Sequence, residues 1–428
     1  MTMTSQSILL KILRVIGLLA WLAHAWPIAP IQAEADDDYV PNEVVIKLSS
    51  ASVLAAVAAD YHLDPAPLSQ FGTRPIFRMQ ITDGAEPPDR AAALQLDSRV
   101  LYAEPNYVSE TPESRQRVSW PKGGEEGDYV EQWADEVLRL SEAHTINRGA
   151  GVVVAVLDTG VDRHHPALAG RLLAGYDFVD MDSDPSETGV YGQNLAYGHG
   201  THVAGLVALV APEAQILPIR VLDADGMGNI WVLAEALRYA VDPDNNPATD
   251  DGADVINLSL STTRPTQLLT EIVHLVTCDN DDSDDGDDHG DDDDCLTPAR
   301  RGVVVVAAAG NNASSTPEYP AAEGVPSALA VAASSPADVL ANFSNYGGWV
   351  HVAAPGEAIT SAVPGGGYAT WSGTSMAAPF VAGQAALVRA VYPYLPAAAV
   401  TEIILETADA ISGEVPMRVD VASAVGYP

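Results

Sequence analysis

Five short apolar runs alternate with helix-like segments over the C-terminal part of the chain, and this alternation constrains the fold more than any other feature. The runs do not alternate polar with apolar residues, so they are typical of strands buried on both faces; they are GVVVAVLD, QILPIRVL, DVINLSL, GVVVVAAAG and ALAVAAS. Helix candidates lie between them in HVAGLVALV, WVLAEALRYAV and PTQLLTEIVHLV. The pattern predicts an α/β fold, with a parallel sheet flanked by helices and its chemistry at the carboxyl ends of the strands.

A smaller unit precedes this domain. Residues 34–111 contain strand-like and helix-like segments, including a helix candidate in AAALQLDSRV, and their order predicts a compact α+β fold. A polar stretch with several prolines, glycines and arginines over residues 112–131 predicts a linker between the two units. The larger domain is expected to occupy residues 132–428.

The first 33 residues are typical of an export signal. Lys11 and Arg14 precede an apolar run from Val15 to Ala25, and small residues up to Ala33 offer cleavage sites. This apolar run is short of the roughly 20 residues that span a bilayer. We therefore expect cleavage and a secreted or extracytoplasmic protein without a stable membrane anchor; an uncleaved anchor is the alternative.

The charge of the chain excludes some partners. Its 428 residues include 58 acidic and 21 basic residues, which gives a formal net charge of -37. Such a field repels phosphate backbones and anionic lipid. We therefore expect no nucleic-acid partner.

Four segments carry candidate chemistry. Asp158 ends a strand in VAVLDTGVD, where its carboxylate could orient a histidine, although an ordinary turn residue is the alternative. His199 lies between glycines in YGHGTHVAG, and His202 follows at a spacing that also permits a metal pair. Ser375 begins a helix in WSGTSMAAPFVAG, as a nucleophile or as a helix cap, and Asn311 follows a strand in GVVVVAAAGNN. Together these residue types predict nucleophilic catalysis.

These motifs, in the order Asp, His, Ser, resemble the subtilisin family of serine proteases over roughly residues 132–426. The resemblance implies a subtilisin-like parallel sheet, protein or peptide substrates and no cofactor required for catalysis. It implies that Asp158 orients His199, which takes the proton of Ser375 as this serine forms an acyl-enzyme. The amide of Asn311 and the backbone N–H of Ser375 would hold the oxyanion.

The resemblance also implies a substrate cleft. Three segments would line it: Ser259, Leu260 and Ser261; Ala308, Ala309 and Gly310; and Gly226, Met227 and Gly228. Glu318 precedes a family-like Tyr-Pro pair and falls near the floor of the primary specificity pocket, where a carboxylate favours Lys or Arg on the acyl side of the scissile bond. A solvent-exposed loop glutamate is the alternative.

Residues 34–111 resemble the family's inhibitory pro-domain, above all in RVLYAEPNYV. The resemblance implies a precursor whose own pro-domain is an intramolecular inhibitor and is then removed; a permanent accessory domain is the alternative. The linker contains SRQR, so a maturation cut after Arg117 would suit a pocket for basic residues.

Two cysteines, Cys278 and Cys295, bracket a segment in which 11 of 16 residues are Asp. Under oxidising conditions they can form a disulfide at the base of this acidic insertion, residues 278–295. Asp281, Asp285 and Asp287 have the spacing of a weak calcium site. A solvated loop without calcium is the alternative.

Other functions fit the motifs less well. A catalytically idle binding protein of the same fold would be expected to lack one of the four candidate catalytic residues, and none is lost. An esterase or lipase would carry a G-x-S-x-G motif, whereas Ser375 lies in G-T-S-M-A. His202 matches a structural histidine of the family, which leaves no metal pair. We expect a monomeric secreted endopeptidase.

Overall fold

The computed structural model describes residues 38–114, 122–246, 249, 251–279, 295–296, 301–415 and 417–426. The predicted export signal and the proposed cut after Arg117 lie outside the described residues. So do Asp281, Asp285 and Asp287 of the predicted calcium site.

The described residues form 17 strands and 11 α-helices. The strands are β1 (Tyr39–Leu48), β2 (Ser69–Gln70), β3 (Ile76–Gln80), β4 (Val100–Glu110), β5 (Lys122–Gly124), β6 (Val153–Asp158), β7 (Tyr176–Asp177), β8 (Gln215–Arg220), β9 (Met227–Asn229), β10 (Val255–Leu258), β11 (Val304–Ala308), β12 (Ala328–Ser334), β13 (Val352–Pro355), β14 (Ile359–Val363), β15 (Gly367–Trp371), β16 (Asp409–Ala410) and β17 (Met417–Arg418). The helices are α1 (Leu54–Asp60), α2 (Pro87–Leu94), α3 (Glu126–Val130), α4 (Trp133–Leu138), α5 (Leu140–Ile146), α6 (His199–Val210), α7 (Ile230–Val241), α8 (Gln267–Thr277), α9 (Thr374–Val391), α10 (Ala397–Glu406) and α11 (Val421–Ala424).

A nine-stranded sheet forms the larger domain, in the order β16-β17-β13-β12-β11-β10-β6-β8-β7. All its neighbouring strands are parallel except β16 and β17. The five apolar runs singled out in the sequence form β6, β8, β10, β11 and β12, and every residue of the last three is buried. The predicted α/β fold class is confirmed.

Helices cover both faces of this sheet and form two apolar cores. On one face α6 and α9 pack with residues such as Val203 and Phe380. On the other face α7 and α8 pack with Leu237 and Ile272. The carboxyl ends of the central strands and the amino ends of α6 and α9 therefore meet at one rim.

The N-terminal unit is a sheet in the order β2-β3-β1-β4-β9. Its last strand, β9, belongs in sequence to the larger domain and pairs antiparallel with β4. Three N-terminal residues, Val45, Phe71 and Ile76, also pack into the apolar core around α7 and α8. The unit is thus joined to the larger domain through both a sheet edge and an apolar contact.

Two features differ from the sequence-based expectation. The helix expected over AAALQLDSRV spans Pro87–Leu94. It begins earlier than expected because proline favours the first turn of a helix. A three-stranded antiparallel sheet, β14-β15-β5, has no counterpart in the predicted elements. No helix within the described ranges is both long and apolar enough to cross a bilayer.

Candidate active site

Asp158 and His199 meet where β6 ends and α6 begins. His199 Nδ1 lies 2.7 Å from Asp158 Oδ1, and both side chains are buried. Gly198 precedes the helix in a left-handed conformation with φ of 96°, which favours glycine. A Cβ on Gly200 would overlap the carbonyl oxygen of Gly160 and lie 3.1 Å from Asp158 Cβ. The glycines on either side of His199 therefore allow the start of α6 to approach β6 closely.

Both ring nitrogens of His199 face carboxylates, an arrangement that favours the positively charged imidazolium. Its Nδ1 faces Asp158, and its Nε2 lies 3.2 Å from Glu113 Oε2, so each ring nitrogen donates to a carboxylate. Burial lowers the pKa of His199, but the charges and hydrogen bonds of Asp158 and Glu113 outweigh it and raise that pKa to about 10. A protonated imidazole cannot accept a proton from a serine.

Ser375 lies in the first turn of α9, next to Asn311 at the end of β11. The side-chain oxygen of Asn311 accepts hydrogen bonds from Thr374, through the backbone N–H at 2.9 Å and Oγ1 at 3.0 Å. This arrangement turns the Asn311 NH₂ group toward the site. Thr374 is thus a positioning residue missed in the sequence, although it stands next to Ser375 in the motif.

Glu113 connects these groups and was also missed in the sequence. Its Oε2 accepts a hydrogen bond from Ser375 Oγ at 2.7 Å and faces His199, while its Oε1 accepts one from Asn311 Nδ2 at 2.8 Å. Burial raises the pKa of the Glu113 carboxyl, but His199, Ser375 and Asn311 outweigh burial and hold this pKa below its usual value. Nothing local distinguishes this glutamate in the linker, because the pairing of distant strands brings it here.

Glu187 is a second carboxylate that the sequence did not single out. Its Oε1 accepts hydrogen bonds from the side chains of Thr159 and Thr201 and from the Thr201 N–H, and its Oε2 accepts one from Gly198 N–H. Burial raises the pKa of its carboxyl to about 7. Glu187 therefore joins the residue after Asp158 to the first turn of the helix that carries His199.

The chain segment after β4 runs through a cleft between two edge segments. Glu110 exchanges backbone hydrogen bonds of 2.8 and 2.9 Å with Ser261, and the Thr111 N–H donates to the Gly226 carbonyl at 3.0 Å. β4 also pairs with Met227 and Gly228 of β9. The segments expected to bind substrate therefore hold the chain's own residues as an added strand.

Glu318 lies beside the expected pocket walls rather than in a solvent-exposed loop. It is 3% exposed, and its carboxylate accepts hydrogen bonds from Ser261 Oγ at 2.6 Å, Asn312 Nδ2 at 2.7 Å and Asn345 Nδ2 at 2.9 Å. A Cβ on Gly310 would lie 2.7 Å from Glu318 Cδ. Four other residues expected to form the pocket walls are also buried: Ser259, Leu260, Ala308 and Ala309.

His202 is packed inside the domain rather than facing the cleft. Its Nε2 lies 3.1 Å from the Ala369 carbonyl oxygen, and its ring lies 5.4 Å from that of Trp371. Burial lowers the pKa of this imidazole to about 3, so it is neutral. It takes no part in a pair of ligands with His199.

The two cysteines form a disulfide. Cys278, directly after α8, is bonded to Cys295, and their Cα atoms lie 5.0 Å apart. The bond closes a loop at a sequence separation of 17 residues. Of the residues between them, Asp279 accepts a hydrogen bond from the Ser327 N–H at 2.7 Å, and residues 280–294 lie outside the described ranges.

Comparisons with known protein families agree with this fold. A family model described as the Subtilase family matches residues 149–424, and one described as the Fervidolysin N-terminal prodomain matches residues 27–106. The first match spans more than half of the chain. The chain therefore belongs to the subtilase family of serine endopeptidases.

Individual relatives are similar over long stretches. The chain is 38% identical over 334 residues to a thermophilic serine proteinase of Bacillus sp. (strain AK1), which covers 75% of this chain and 70% of the relative. It is 37% identical over 292 residues to thermitase of Thermoactinomyces vulgaris, covering 66% of this chain and 90% of the relative.

Solved structures share the fold. Fervidolysin from Fervidobacterium pennivorans matches with a TM-score of 0.69 at 24% identity, which covers 92% of this chain and 62% of that chain. This chain thus spans about three fifths of that structure's length. A cold-adapted subtilisin-like serine proteinase matches with a TM-score of 0.52 at 30% identity, covering 64% of this chain and 90% of that one.

Proposed function

We propose that the chain is a secreted serine endopeptidase, made as a precursor that processes itself, with Asp158, His199 and Ser375 as its catalytic triad. One observation carries this proposal. Ser375 Oγ, His199 Nε2 and Asn311 Nδ2 all contact the two oxygens of a single carboxylate, at 2.7 to 3.2 Å, while His199 also contacts Asp158. A nucleophile, a base and an oxyanion donor therefore converge on one small volume at a strand–helix rim.

The chemistry follows from these positions once Glu113 has left. Neutral His199 takes the proton of Ser375 Oγ as this oxygen attacks the substrate carbonyl carbon, and Asp158 stabilises the imidazolium that forms. The oxyanion receives a hydrogen bond from Asn311 Nδ2 at the amino end of α9. His199 then donates its proton to the leaving amine as the C–N bond breaks. Water then takes the place of the amine: His199 accepts a proton from water as the water oxygen attacks the acyl carbon, and returns it to Ser375 Oγ as the ester bond breaks and the acid is released.

Glu318 supports a preference for Lys or Arg on the acyl side of the cut. Ser261, Asn312 and Asn345 donate hydrogen bonds to the Glu318 carboxylate and hold it at this end of the pocket. A basic side chain that reaches this end of the pocket would meet a buried anion, where charge pairing is strong.

The pro-domain is proposed to act as the intramolecular inhibitor of the cleft. The antiparallel pairing of β4 with β9 and of Glu110 with Ser261 supports this role, because an added strand of this kind occupies the path of a substrate. We also propose that the protein is exported and monomeric.

A weak calcium site is proposed at Asp281, Asp285 and Asp287. Calorimetric titration of calcium into the protein with and without its acidic loop tests the last point, and equal heats would contradict it.

A peptide panel tests the proposed function. We expect the processed enzyme to hydrolyse peptides with Arg before the cut faster than matched peptides with Leu or Phe, and Ser375→Ala to abolish hydrolysis. Glu318→Gln keeps the size of the side chain, and should lower the ratio of kcat/KM for Arg to that for Leu by about 10- to 100-fold, the effect of losing one charged hydrogen bond. An unchanged ratio would contradict the basic preference. Absence of hydrolysis by the wild type would favour an idle binding protein of the same fold.

A further inference from the structure

The segment from Glu110 to Ser114 lies in the cleft, but its residues do not fit a substrate at the catalytic centre. Glu110 pairs antiparallel with Ser261, and extending this register by two residues brings Pro112, where the chain begins a turn, to Ser259. Ser259 in turn contacts the nucleophile, since Ser375 Oγ lies 3.3 Å from its carbonyl oxygen. Pro112 is therefore the residue at the nucleophile, and Glu113 is the next residue along the chain.

Proline at this position withholds a hydrogen bond. It has no backbone N–H, so the added strand cannot donate to the Ser259 carbonyl oxygen at the point where a substrate is attacked. The Ser375 Oγ lies 3.3 Å from this oxygen, while its single proton is directed to Glu113 Oε2 at 2.7 Å. The segment is thus held by backbone hydrogen bonds at Glu110 and Thr111, whereas the nitrogen of Pro112 can donate none.

The carboxylate of Glu113 fills the position that an oxyanion would take. It accepts the Asn311 hydrogen bond, and a Cβ on Gly373, the residue before α9, would overlap its Oε1. The amino end of an 18-residue helix favours a negative charge here. Glu113 is 10% exposed, so water competes little for these contacts.

The same carboxylate separates the nucleophile from the base. Its Oε2 accepts from Ser375 Oγ and from His199 Nε2, so the serine proton points to Glu113 and the imidazole is kept protonated. Both effects oppose attack on a carbonyl. The contact is therefore inhibitory in its chemistry as well as in its bulk.

We propose that the catalytic centre contains a binding site for a peptide carboxylate and that Glu113 is the ligand of this site. A peptide with a glutamate directly after the residue at the nucleophile is then an inhibitor instead of a substrate. This inference rests on the proposed endopeptidase function. Beyond that function, the side chain of Glu113 is what inhibits the catalytic centre of the full chain. The inference also implies that neither bond of Glu113 is cut while its carboxylate occupies the site.

Labelling of Ser375 with a fluorophosphonate probe tests this proposal on the full chain. The rate is measured on the full-length band only, at pH 8, for the wild type, Glu113→Gln and the control Glu86→Gln, which changes an exposed pro-domain carboxylate that contacts Tyr39. We expect Glu113→Gln to be labelled about 10- to 100-fold faster than the wild type, because one charged contact in a buried site is lost. The control is expected to match the wild type. Equal rates for all three proteins would overturn the proposal.

A second measurement does not depend on the Glu113 variant folding. In ¹⁵N-histidine NMR spectra of the full-chain Ser375→Ala protein at pH 8, we expect both ring nitrogens of His199 to be protonated. A neutral His199 would overturn the proposal. If the processed enzyme is labelled and cleaves peptides, but Glu113→Gln is labelled no faster than the wild type, only the inference about Glu113 fails. If no form of the protein is ever labelled, the proposed endopeptidase function fails as well.

Discussion

At the scale of single residues, the charge of His199 depends on what faces its two ring nitrogens. Asp158 occupies one and Glu113 the other, while neighbouring His202 is neutral and Glu187 lies beyond Asp158 with a raised pKa. The pKa of His199 is raised to about 10, and that of Glu113 is lowered. The charged contact between His199 and Glu113 is therefore expected to form only over a limited pH range.

The sign of each shift predicts that range. A histidine with a raised pKa contributes stability fully below its unfolded value of about 6.5, and this contribution is lost as the pH rises through about 10. A glutamate with a lowered pKa contributes above its unfolded value of about 4.3, and this contribution is lost in acid. In thermal unfolding of the full-chain Ser375→Ala protein, adding Glu113→Gln should lower Tm most between about pH 4.3 and 6.5. A Tm difference that is the same from strong acid to pH 11 would contradict this assignment.

Asn311 provides a prediction for turnover. Its Nδ2 donates to the anion in the site, and Thr374 holds its oxygen away. Because this donor matters most when an oxyanion forms, Asn311→Ala should lower kcat of the processed enzyme by about 100- to 1,000-fold, as loss of the asparagine donor does in subtilisin, with little change in KM. Steady-state kinetics on one peptide substrate checks this. A kcat within twofold of the wild type would exclude Asn311 as an oxyanion donor.

At the scale of elements, the catalytic geometry depends on how closely α6 approaches the end of β6. Gly200 has no side chain at the point of contact, and a Cβ there would overlap Gly160. Gly127 in α3 has no neighbouring atom within 4 Å of its Cβ position, which makes it a matched control.

Gly200→Ala is therefore expected to reduce stability and activity together. The added methyl must push α6 away from β6, at a cost of about 1–3 kcal/mol in the free energy of unfolding. Urea denaturation in the Ser375→Ala background measures this cost, and kcat in the active protein measures the displacement of His199. Gly127→Ala should leave both nearly unchanged; if the two substitutions behave alike, close approach at Gly200 is not what positions His199.

The elements also show what sequence patterns can predict. The buried strands were recognisable because burial on both faces leaves continuous apolar runs, as in β10 and β11. Strands β14 and β15 were not predicted, because Ile359–Val363 and Gly367–Trp371 mix small, polar and aromatic residues in short runs. The helix expected over AAALQLDSRV instead starts earlier, at Pro87, because proline favours the first turn of a helix.

The residues of the site likewise include some that local sequence patterns predict and some that they do not. Sequence motifs pointed to Asp158, His199, Asn311 and Ser375, because each lies in a local pattern at the end of a strand or the start of a helix. Glu113 lies in a linker, and only the pairing of β4 with β9 and Ser261 brings it to the nucleophile. Such contacts between distant segments leave no trace in local spacing.

At the scale of the whole molecule, the two units are joined by a strand that they share. The N-terminal unit has its own apolar core, and its sheet is completed by β9, which belongs in sequence to the larger domain but not to the nine-stranded sheet. The net charge of -37 adds a field that attracts basic segments. Within this arrangement the chain supplies both the cleft and the segment that fills it.

Self-processing of the full chain is the most direct test of the proposed precursor enzyme. Purified full-chain protein and its Ser375→Ala variant are incubated in parallel, and new amino termini are mapped by mass spectrometry. We predict that the wild type is cut within residues 112–131, outside the two bonds of Glu113, and that the Ser375→Ala protein stays intact. Identical fragments from both proteins, or none from either, would contradict the proposal.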